Sequence, residues 1–338
     1  MRGAVIYGPK DVRFEEYADP KILAPTDAIV RTVATCICGS DLWRFRGVSP
    51  VVQPRPIGHE YVGVVEEVGS QVTSLTTGQF VVGSFVASDN TCELCLVGYQ
   101  SACLHREPVD GCQAEFIRVP LADGTLVATP KQPAPEYIPS LLACSDVMGT
   151  GWYAAIAAQV RPDSTVVVVG DGAVGLCAVL AARQLRADRI IAMSRNTARQ
   201  ELATQFGATD IVTERGQEGI AAIKELTGGI GADSVLECVG THESMQQSLG
   251  ATRPGGNIGF VGVPHGVHIR GEELFSAQVA LRGGSAPVRR FLPDLIDGVL
   301  QQRINPGKVF DVTLPLEEVA EGYRAMDERR AIKVLLRP

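Results

Sequence analysis

The sequence predicts an α/β protein in which a β-rich part comes first and a doubly wound parallel sheet follows. Three observations lead to this prediction. Up to about residue 145, short apolar runs are separated by Gly and Pro, and helical periodicity is scarce. From about residue 165 to residue 261, strand-like and helix-like segments alternate strictly. The length of 338 residues corresponds to about two domains at roughly 150 residues per domain.

The β-rich part contains predicted strands at residues 28–33, 61–68 and 79–82, where β-branched residues are frequent and turn residues bound each run. The short spacing favours a compact antiparallel domain. From residue 140 to residue 160 the chain becomes rich in Ala and Leu with helical spacing, and we expect an interruption at Gly149-Thr-Gly151.

The second part opens with a continuous β-branched run at residues 165–169, which is typical of a strand buried on both faces. A predicted helix at 174–185 follows, and the alternation continues through residue 261. After about Pro287 the pattern is mixed and ends in an apolar run that we expect to return to the first domain. The predicted domains are residues 1–147 with 287–338, and residues 148–286. The further predicted strands of the second domain are residues 189–192, 210–212, 234–239 and 258–261.

Charge and composition exclude several classes of protein. The net charge of −7 argues against nucleic acid or an anionic membrane as the main partner. No apolar run reaches the roughly 18 residues of a membrane span, and Gly8-Pro9 breaks the N-terminus too early for a signal peptide. Nine cysteines favour reduced thiols or metal ligands over disulfides in such a chain. We therefore expect a soluble, cytoplasmic protein.

A glycine-rich loop follows the buried strand directly and opens the next helix. Its first glycine makes a tight turn, its second lets the backbone approach a pyrophosphate, and its third allows the helix to pack closely on the strand. The helix N-terminus supplies oriented N–H groups to the phosphates. Asp171 lies within the loop, and we expect its carboxylate to point away from the phosphates or to cap the helix. The predicted dinucleotide-binding residues here are Gly170, Gly172, Ala173, Val174 and Gly175.

Two groups of metal-ligating residue types occur in the β-rich part. Cys38-Gly-Ser-Asp41 and His59-Glu60 lie about twenty residues apart and offer a thiolate, an imidazole and a carboxylate, a set that suits Zn²⁺. The second group combines three cysteines and one carboxylate on a short loop, which predicts a closed structural zinc site; three unrelated thiols are the alternative. That second group consists of Asp89, Cys92, Cys95 and Cys103.

These motifs, in this order and over essentially the whole chain, resemble the zinc-containing medium-chain alcohol dehydrogenases. The resemblance implies a GroES-like catalytic domain, a Rossmann coenzyme domain, and a homo-oligomer, either a tetramer or a dimer. It also implies that Cys38 and His59 bind the catalytic zinc and that Glu60 can approach it. Asp41 would orient the His59 imidazole, and Ser40 would pass on the proton of the substrate.

The resemblance places further residues at the coenzyme and at the zinc. Thr150 would lie at the nicotinamide, Val261 and Val263 would receive its carboxamide, and Lys333 would lie near the phosphates. Asp146 is the expected third ligand of the catalytic zinc, because a Thr-Gly step follows it at the family's offset. Cys144 is the alternative, but two residues apart on a helix means about 200° around the axis, so both cannot serve.

Two positions depart from the family pattern. Asp89 stands where the structural site usually has its first cysteine, which puts full zinc occupancy in doubt. Trp43 stands where many members have the histidine that ends the proton relay, so the proton is expected to pass from Ser40 through a ribose hydroxyl to water or another base.

The predicted function is zinc-dependent, reversible oxidation of an alcohol to an aldehyde or ketone with a nicotinamide coenzyme. The alternatives are a zinc-independent quinone- or enone-type reductase and a non-catalytic nucleotide-binding protein. NADP(H) is favoured over NAD(H), because Ser194 stands where an acid would bind the ribose 2′-hydroxyl of NAD. Arg195 and Arg199 could hold the 2′-phosphate; solvated arginines of an NAD enzyme are the alternative.

Overall fold

The computed structural model describes all 338 residues, which form two compact units. Unit 1 consists of Met1–Gly149 together with Pro287–Pro338. Unit 2 consists of Thr150–Ala286. The C-terminal segment therefore packs with the N-terminal part of the chain rather than with the segment that precedes it. No helix has the length and apolar character that crossing a membrane requires.

Eighteen strands form four sheets. In chain order they are β1 Arg2–Gly8, β2 Asp11–Glu16, β3 Ala28–Cys36, β4 Arg55–Pro56, β5 Tyr61–Val68, β6 Phe80–Gly83, β7 Val86–Ala87, β8 Glu107–Pro108, β9 Phe116–Val119, β10 Leu126–Ala128, β11 Thr165–Val169, β12 Arg189–Met193, β13 Asp210–Val212, β14 Ala232–Glu237, β15 Thr252–Phe260, β16 Ala280–Gly283, β17 Val312–Pro315 and β18 Val334–Arg337.

Twelve α-helices accompany the strands. They are α1 Asp41–Phe45, α2 Glu93–Leu96, α3 Ala122–Thr125, α4 Ile138–Cys144, α5 Val147–Ala157, α6 Ala173–Gln184, α7 Thr197–Phe206, α8 Gly216–Leu226, α9 His242–Ala251, α10 Gly271–Ala277, α11 Val288–Leu300 and α12 Val319–Asp327.

The main sheet of unit 1 is mixed and has the strand order β10-β6-β5-β3-β18-β17, with β9 also paired to β3. The C-terminal strand β18 runs antiparallel to β3, with Leu335 opposite Cys36. Buried apolar side chains fill the space between this sheet and α12, and the rings of Phe45 and Tyr323 lie 5.3 Å apart there. The expected return of the apolar tail to the first part of the chain is thus what the structure shows.

The sheet of unit 2 is parallel and has the order β13-β12-β11-β14-β15-β16. This confirms the predicted α/β class and doubly wound sheet. Val166–Val169 in the central strand β11 are at most 1% exposed, because the strand is covered on both faces. The order of connections reverses between β11 and β14, and ligands of such sheets bind outside the carboxyl ends of the strands at that point.

Two local expectations were wrong. The sequence analysis placed a helix interruption at Gly149-Thr-Gly151, but these residues lie inside α5, and the break falls at residues 145–146. A Cβ on Gly151 would lie 2.6 Å from the Ala178 nitrogen, too close for a side chain, and one on Gly149 would lie 3.0 Å from Val288, a tight contact. The edge strand β16 was not predicted, because it is short, ends in Gly283 and is followed by Gly284.

Candidate functional site

Four predicted ligands of the catalytic zinc come together in unit 1. Cys38 follows β3, and His59 and Glu60 precede β5. Since β3 and β5 are antiparallel neighbours, with Thr35 opposite Tyr61, the end of one strand lies beside the start of the other. Asp146 reaches the same place from the break between α4 and α5.

The distances within this cluster fit a tetrahedral metal ion. Asp146 Oδ2 lies 3.6 Å from Cys38 Sγ and 3.4 Å from His59 Nε2. One ligand atom from each of these three residues and from Glu60 lies within 4.8 Å of the others. Bonds of about 2.0–2.3 Å to zinc place tetrahedral ligands roughly 3.3–3.8 Å apart. The donors, one sulfur, one nitrogen and carboxylate oxygens, are those that zinc accepts.

Electrostatics also favour a cation at this place. Burial raises the pKa of the Cys38 thiol, and the carboxylates of Glu60 and Asp146 raise it further. A thiolate therefore needs a positive ion to be stable there. Cys144, the alternative ligand, is fully buried at the end of α4 and is not part of the cluster. Of the two alternatives, the structure places Asp146 at the cluster.

A second layer of side chains orients the ligands. Asp41 Oδ2 accepts a hydrogen bond from the Cys38 N–H at 3.0 Å, and Asp41 Oδ1 lies 3.4 Å from His59 Nδ1. Gln113 donates to the Cys36 carbonyl at 3.1 Å and accepts from the Tyr323 hydroxyl at 3.1 Å. Gln113 Nε2 also lies 3.4 Å from Asp41 Oδ2. The sequence analysis missed Gln113 and Tyr323, because neither belongs to a motif and Tyr323 lies in α12, far along the chain from the predicted ligands.

Lys333 and Glu60 form a buried ion pair behind the cluster. Lys333 Nζ donates to Glu60 Oε1 at 2.6 Å and to the Ile37 carbonyl at 3.1 Å. Burial disfavours the ammonium, yet the facing Cys36 and Glu60 keep the pKa of Lys333 well above its usual value. Glu60 Oε2 is buried without a hydrogen-bond partner, as expected of an atom that faces an ion. Both hydrogen bonds of Lys333 stay within unit 1, so its role at the coenzyme phosphates stays a prediction.

Phe85 packs against His59, and Ser40 and Trp43 lie at the start of α1, shortly after Cys38 in the chain. The rings of Phe85 and His59 meet edge to face with centroids 6.0 Å apart, and Phe85 was not singled out from the sequence. Trp43 is half-buried in α1, with the Arg46 guanidinium 5.8 Å from its ring centre. Ser40 immediately precedes α1 and makes no capping bond to it, so its role as proton acceptor stays a prediction.

The second predicted cluster also forms. One ligand atom of each of Asp89, Cys92, Cys95 and Cys103 lies within 4.8 Å of the others, and the sulfurs of Cys92 and Cys103 are 3.8 Å apart. That spacing is close to the edge of a zinc–thiolate tetrahedron, about 3.8 Å. The donor set therefore fits a closed structural zinc site. The turn at Gly98 that the loop needs has φ +92°.

Asp89 is held in place by hydrogen bonds. Its Oδ1 accepts from the backbone N–H of Thr91 at 2.9 Å and of Cys92 at 3.0 Å, while its Oδ2 lies 2.6 Å from His105 Nδ1. Although burial opposes it, these bonds keep the pKa of Asp89 well below its usual range. His105 belongs to no motif of the sequence, and the structure shows that it contacts a predicted zinc ligand.

The glycine-rich loop of unit 2 has the predicted geometry. Gly170 has φ +120°, which favours glycine, and α6 begins directly after Gly172. A Cβ on Gly175 would lie 2.0 Å from the Gly170 carbonyl oxygen, so only glycine fits this position. These features leave the N-terminus of α6 accessible to backbone contacts with a phosphate.

Asp171 and Arg199 pair with each other beside the glycine-rich loop. Asp171 does not cap α6; its Oδ2 accepts from the Ser194 hydroxyl at 2.9 Å, and Arg199 Nη1 lies 3.1 Å from its carbonyl oxygen. The same guanidinium nitrogen lies 3.4 Å from Asp171 Oδ1, and the Arg199 side chain is only 8% exposed. Arg199 thus pairs with Asp171, and its contact with the coenzyme stays a prediction. Arg195 is exposed, as contact with a coenzyme phosphate requires.

The remaining predicted coenzyme residues lie in unit 2. Thr150 is buried in α5, and Val261 and Val263 follow β15. The Val261 N–H donates to the Glu237 carbonyl at 2.9 Å, and Val263 is half exposed. Their contact with the nicotinamide stays a prediction. Together, the dinucleotide-type sheet and the zinc-type donor set point to the class of zinc-dependent dehydrogenases.

Comparisons with known proteins identify the family. The family described as Alcohol dehydrogenase GroES-like domain matches residues 24–131, and the family described as Zinc-binding dehydrogenase matches residues 173–296. The chain is 34% identical to zinc-type alcohol dehydrogenase B of Aspergillus flavus, over all of this chain and 81% of that protein. It is 35% identical to a probable zinc-binding alcohol dehydrogenase of Mycobacterium tuberculosis, over all of this chain and 89% of that protein.

A solved structure agrees with these relatives. The alcohol dehydrogenase of a Thermus species superposes with a TM-score of 0.90 at 32% identity, covering all of this chain and 99% of that one. The chain therefore belongs to the zinc-type alcohol dehydrogenases of the medium-chain dehydrogenase/reductase family. Its activity is that of a zinc-dependent alcohol oxidoreductase with a nicotinamide coenzyme, and the predicted family and function are confirmed at this level.

Proposed function

We propose that the chain oxidises an alcohol reversibly to an aldehyde or ketone, with zinc held by Cys38, His59 and Asp146 and with NADP(H) as the coenzyme. The observation that carries the ligand assignment is the position of Asp146 Oδ2, 3.6 Å from Cys38 Sγ and 3.4 Å from His59 Nε2. Three protein ligands leave one tetrahedral position for the substrate oxygen. Zinc bound there supplies a Lewis acid that makes the alcohol hydroxyl acidic near neutral pH.

Ser40 takes the proton of the substrate hydroxyl in this proposal. It lies two residues after the ligand Cys38, at the start of α1. Trp43 has a donor but no acceptor atom, so it cannot receive the proton. Ser40 would therefore hand the proton to water or another base by way of a ribose hydroxyl of the bound coenzyme, whose nicotinamide would supply the hydride acceptor.

Glu60 supplies a fourth ligand, a carboxylate that can approach the zinc in addition to Cys38, His59 and Asp146. Its Oε1 is fixed by Lys333, and its buried Oε2 is the oxygen that can approach the metal. The Lys333 ammonium compensates part of the negative charge of the thiolate and the carboxylates. Asp41 keeps His59 in the tautomer that leaves Nε2 free for the metal.

The preference for NADP(H) is supported by the end of β12. Ser194 occupies the place of the acid that would bind the 2′-hydroxyl of NAD and repel a 2′-phosphate. Asp171 lies nearby, but its charge is compensated by Arg199. The exposed Arg195 then supplies a guanidinium suited to phosphate oxygens.

Asp89, Cys92, Cys95 and Cys103 are proposed to hold a second, structural zinc. Four protein ligands fill a tetrahedral ion, and such closed sites contribute to folding rather than to catalysis. The assembly is proposed to be a homo-oligomer, a tetramer or a dimer, and light scattering of the purified chain tests this.

Zinc analysis combined with an alcohol panel tests the proposal. The wild type should contain two zinc ions per chain and oxidise members of a panel of primary, secondary, aromatic and polyol substrates. Asp146→Ala should lose one zinc and the turnover, because the ligand set then lacks an oxygen that fits the ion. Cys144→Ala is the matched control, being a buried neighbour outside the cluster, and should keep both zinc ions.

Loss of the active-site zinc in Cys144→Ala but not in Asp146→Ala would overturn the ligand assignment. A zinc-free wild type that still reduces quinones or enones would overturn the function.

A further inference from the structure

Glu237 is a buried carboxylate of unit 2 that the proposed mechanism does not use. It is the last residue of β14 and is 0% exposed. Its Oε1 accepts from the backbone N–H of Val239 at 2.9 Å, from that of Gly240 at 2.8 Å and from the Ser244 hydroxyl at 2.7 Å. Three donors thus fix the turn after β14 and the first turn of α9.

The same residue also binds the segment after β15. The Glu237 carbonyl oxygen accepts from the N–H of Val261 at 2.9 Å and of Gly262 at 3.3 Å. Its second carboxylate oxygen, Oε2, is buried without a partner, and a Cβ on Gly262 would lie 2.7 Å from it. Glu237 therefore contacts both turns at once.

Two glycines keep these turns in direct contact. A Cβ on Gly262 would lie 2.1 Å from the Gly240 nitrogen, and one on Gly240 would lie 2.2 Å from the Val263 carbonyl oxygen. The His265 N–H donates to the Gly240 carbonyl at 2.9 Å. Replacing either glycine by a larger residue would therefore push residues 238–241 away from residues 261–263.

The two turns lie at the edge of the sheet where a dinucleotide is expected to bind. They follow β14 and β15 at their carboxyl ends, next to the point where the sheet order reverses. The Cys238 N–H donates to the Val169 carbonyl at 2.9 Å, just before the glycine-rich loop. The Glu237 cluster therefore borders the place where a dinucleotide binds.

We propose that Glu237 is a positioning residue that fixes the backbone at residues 261–263 for the nicotinamide half of the coenzyme. The inference rests on the proposed function, in which Val261 and Val263 receive the carboxamide. A carboxylate is suited to the task because hydrogen bonds to a charged acceptor are roughly twice as strong as neutral ones. Burying it costs free energy, which the three donors and the N-terminus of α9 offset in part.

The experiment compares the whole coenzyme with a fragment that lacks nicotinamide. Binding of NADPH or NADH is measured by fluorescence, and binding of ADP-ribose and its 2′-phosphate by calorimetry. Glu237→Gln keeps the size of the side chain but removes its charge. It should weaken binding of the reduced coenzyme by about 10-fold and of the fragment by less than about 2-fold, because the turn that packs against residues 261–263 loses the charged acceptor that fixes it.

Asp233→Asn is the matched control. Asp233 lies at the other end of β14, where it accepts from the Thr165 N–H at 2.8 Å and pairs with Arg253 at 2.7 Å. Its loss should lower the melting temperature but change neither binding constant by more than about 2-fold. If Glu237→Gln does not fold, Ser244→Ala removes one of the three donors and should show the same selectivity at about 3-fold.

Equal weakening of coenzyme and fragment, or no weakening of either, would overturn the proposal. A wild type that oxidises alcohols but whose Glu237 variants bind the coenzyme normally refutes the positioning role alone. A wild type that binds no reduced nicotinamide coenzyme refutes the proposed function and this inference together.

Discussion

Lys333 Nζ lies 2.6 Å from Glu60 Oε1, and both side chains are at most 1% exposed. The pair joins the residue just before the last strand, β18, to the segment that carries His59. The charge of Glu60 is thereby held next to the proposed zinc ligands although no solvent reaches it. The consequences of this pair, and of three other contacts, can be measured.

Lys333→Met should destabilise the protein strongly. Removing the ammonium leaves the Glu60 carboxylate buried and uncompensated, which typically costs about 3–5 kcal/mol. Lys10→Met is the matched control, since Lys10 pairs with Asp327 at the surface and is 58% exposed; it should cost less than about 1 kcal/mol. Urea unfolding of the two variants measures the difference. Equal losses of unfolding free energy in the two variants would show that the buried Lys333–Glu60 pair contributes no more than a surface pair.

His105→Ala should weaken the structural zinc site and leave the catalytic site unchanged. His105 contacts Asp89, and loss of such a contact to a ligand usually lowers metal affinity by about 10- to 100-fold. When a chelator is added, the structural zinc of this variant should be released fast and the catalytic zinc slowly. His268→Ala, which removes an exposed histidine of unit 2, is the control. The prediction fails if both equivalents leave His105→Ala at wild-type rates.

Arg195 and Arg199 should affect the coenzyme in different ways. Arg195→Ala should reduce kcat/KM with NADP⁺ by about 10- to 100-fold and leave NAD⁺ little changed, because only NADP⁺ has the 2′-phosphate. Arg199→Gln should weaken the binding of both coenzymes to the same extent, since it leaves the Asp171 carboxylate uncompensated in the glycine-rich loop. Kinetics with both coenzymes decide this. A wild type that clearly prefers NAD⁺ would refute the NADP(H) proposal.

The pair of Asp27 and Arg118 should make stability depend on acid pH. Burial alone would raise the pKa of Asp27, but Arg118 at 2.7 Å and the N–H groups of Ala24 and Leu23 lower it below its usual value. A depressed pKa in the folded state gives stability that is present above about pH 4 and is lost as the pH falls further.

Asp27→Asn should therefore be less stable than the wild type at pH 7, and the gap should shrink below about pH 4. Melting temperatures of both proteins between pH 7 and pH 3 measure it. A gap that stays constant over this range would show that the carboxylate charge contributes nothing.

Much of the fold could be predicted because its signals are local. The run at Thr165–Val169 is apolar without interruption, and the glycines of the following loop need conformations or close approaches that other residues cannot adopt. The helix break before Asp146 could not be predicted in the same way. The glycines at 149 and 151 look like helix breakers in the sequence, and only the packing of Val288 and Ala178 against them shows why they lie inside a helix.

The sequence by itself determined the residue types of both metal clusters, the glycine-rich loop and the order of strands and helices. These depend on short spacings, where chemistry and backbone geometry act within a few residues. Only the tertiary structure brought Asp146 rather than Cys144 to the cluster, paired Arg199 with Asp171, and brought Lys333 to Glu60 and His105 to Asp89. The physical reason is that a charged side chain takes the partner that compensates it best where water is excluded. Which partner is near depends on the strands and loops that meet there, and in the case of Lys333 and Glu60 they lie 273 residues apart in the chain.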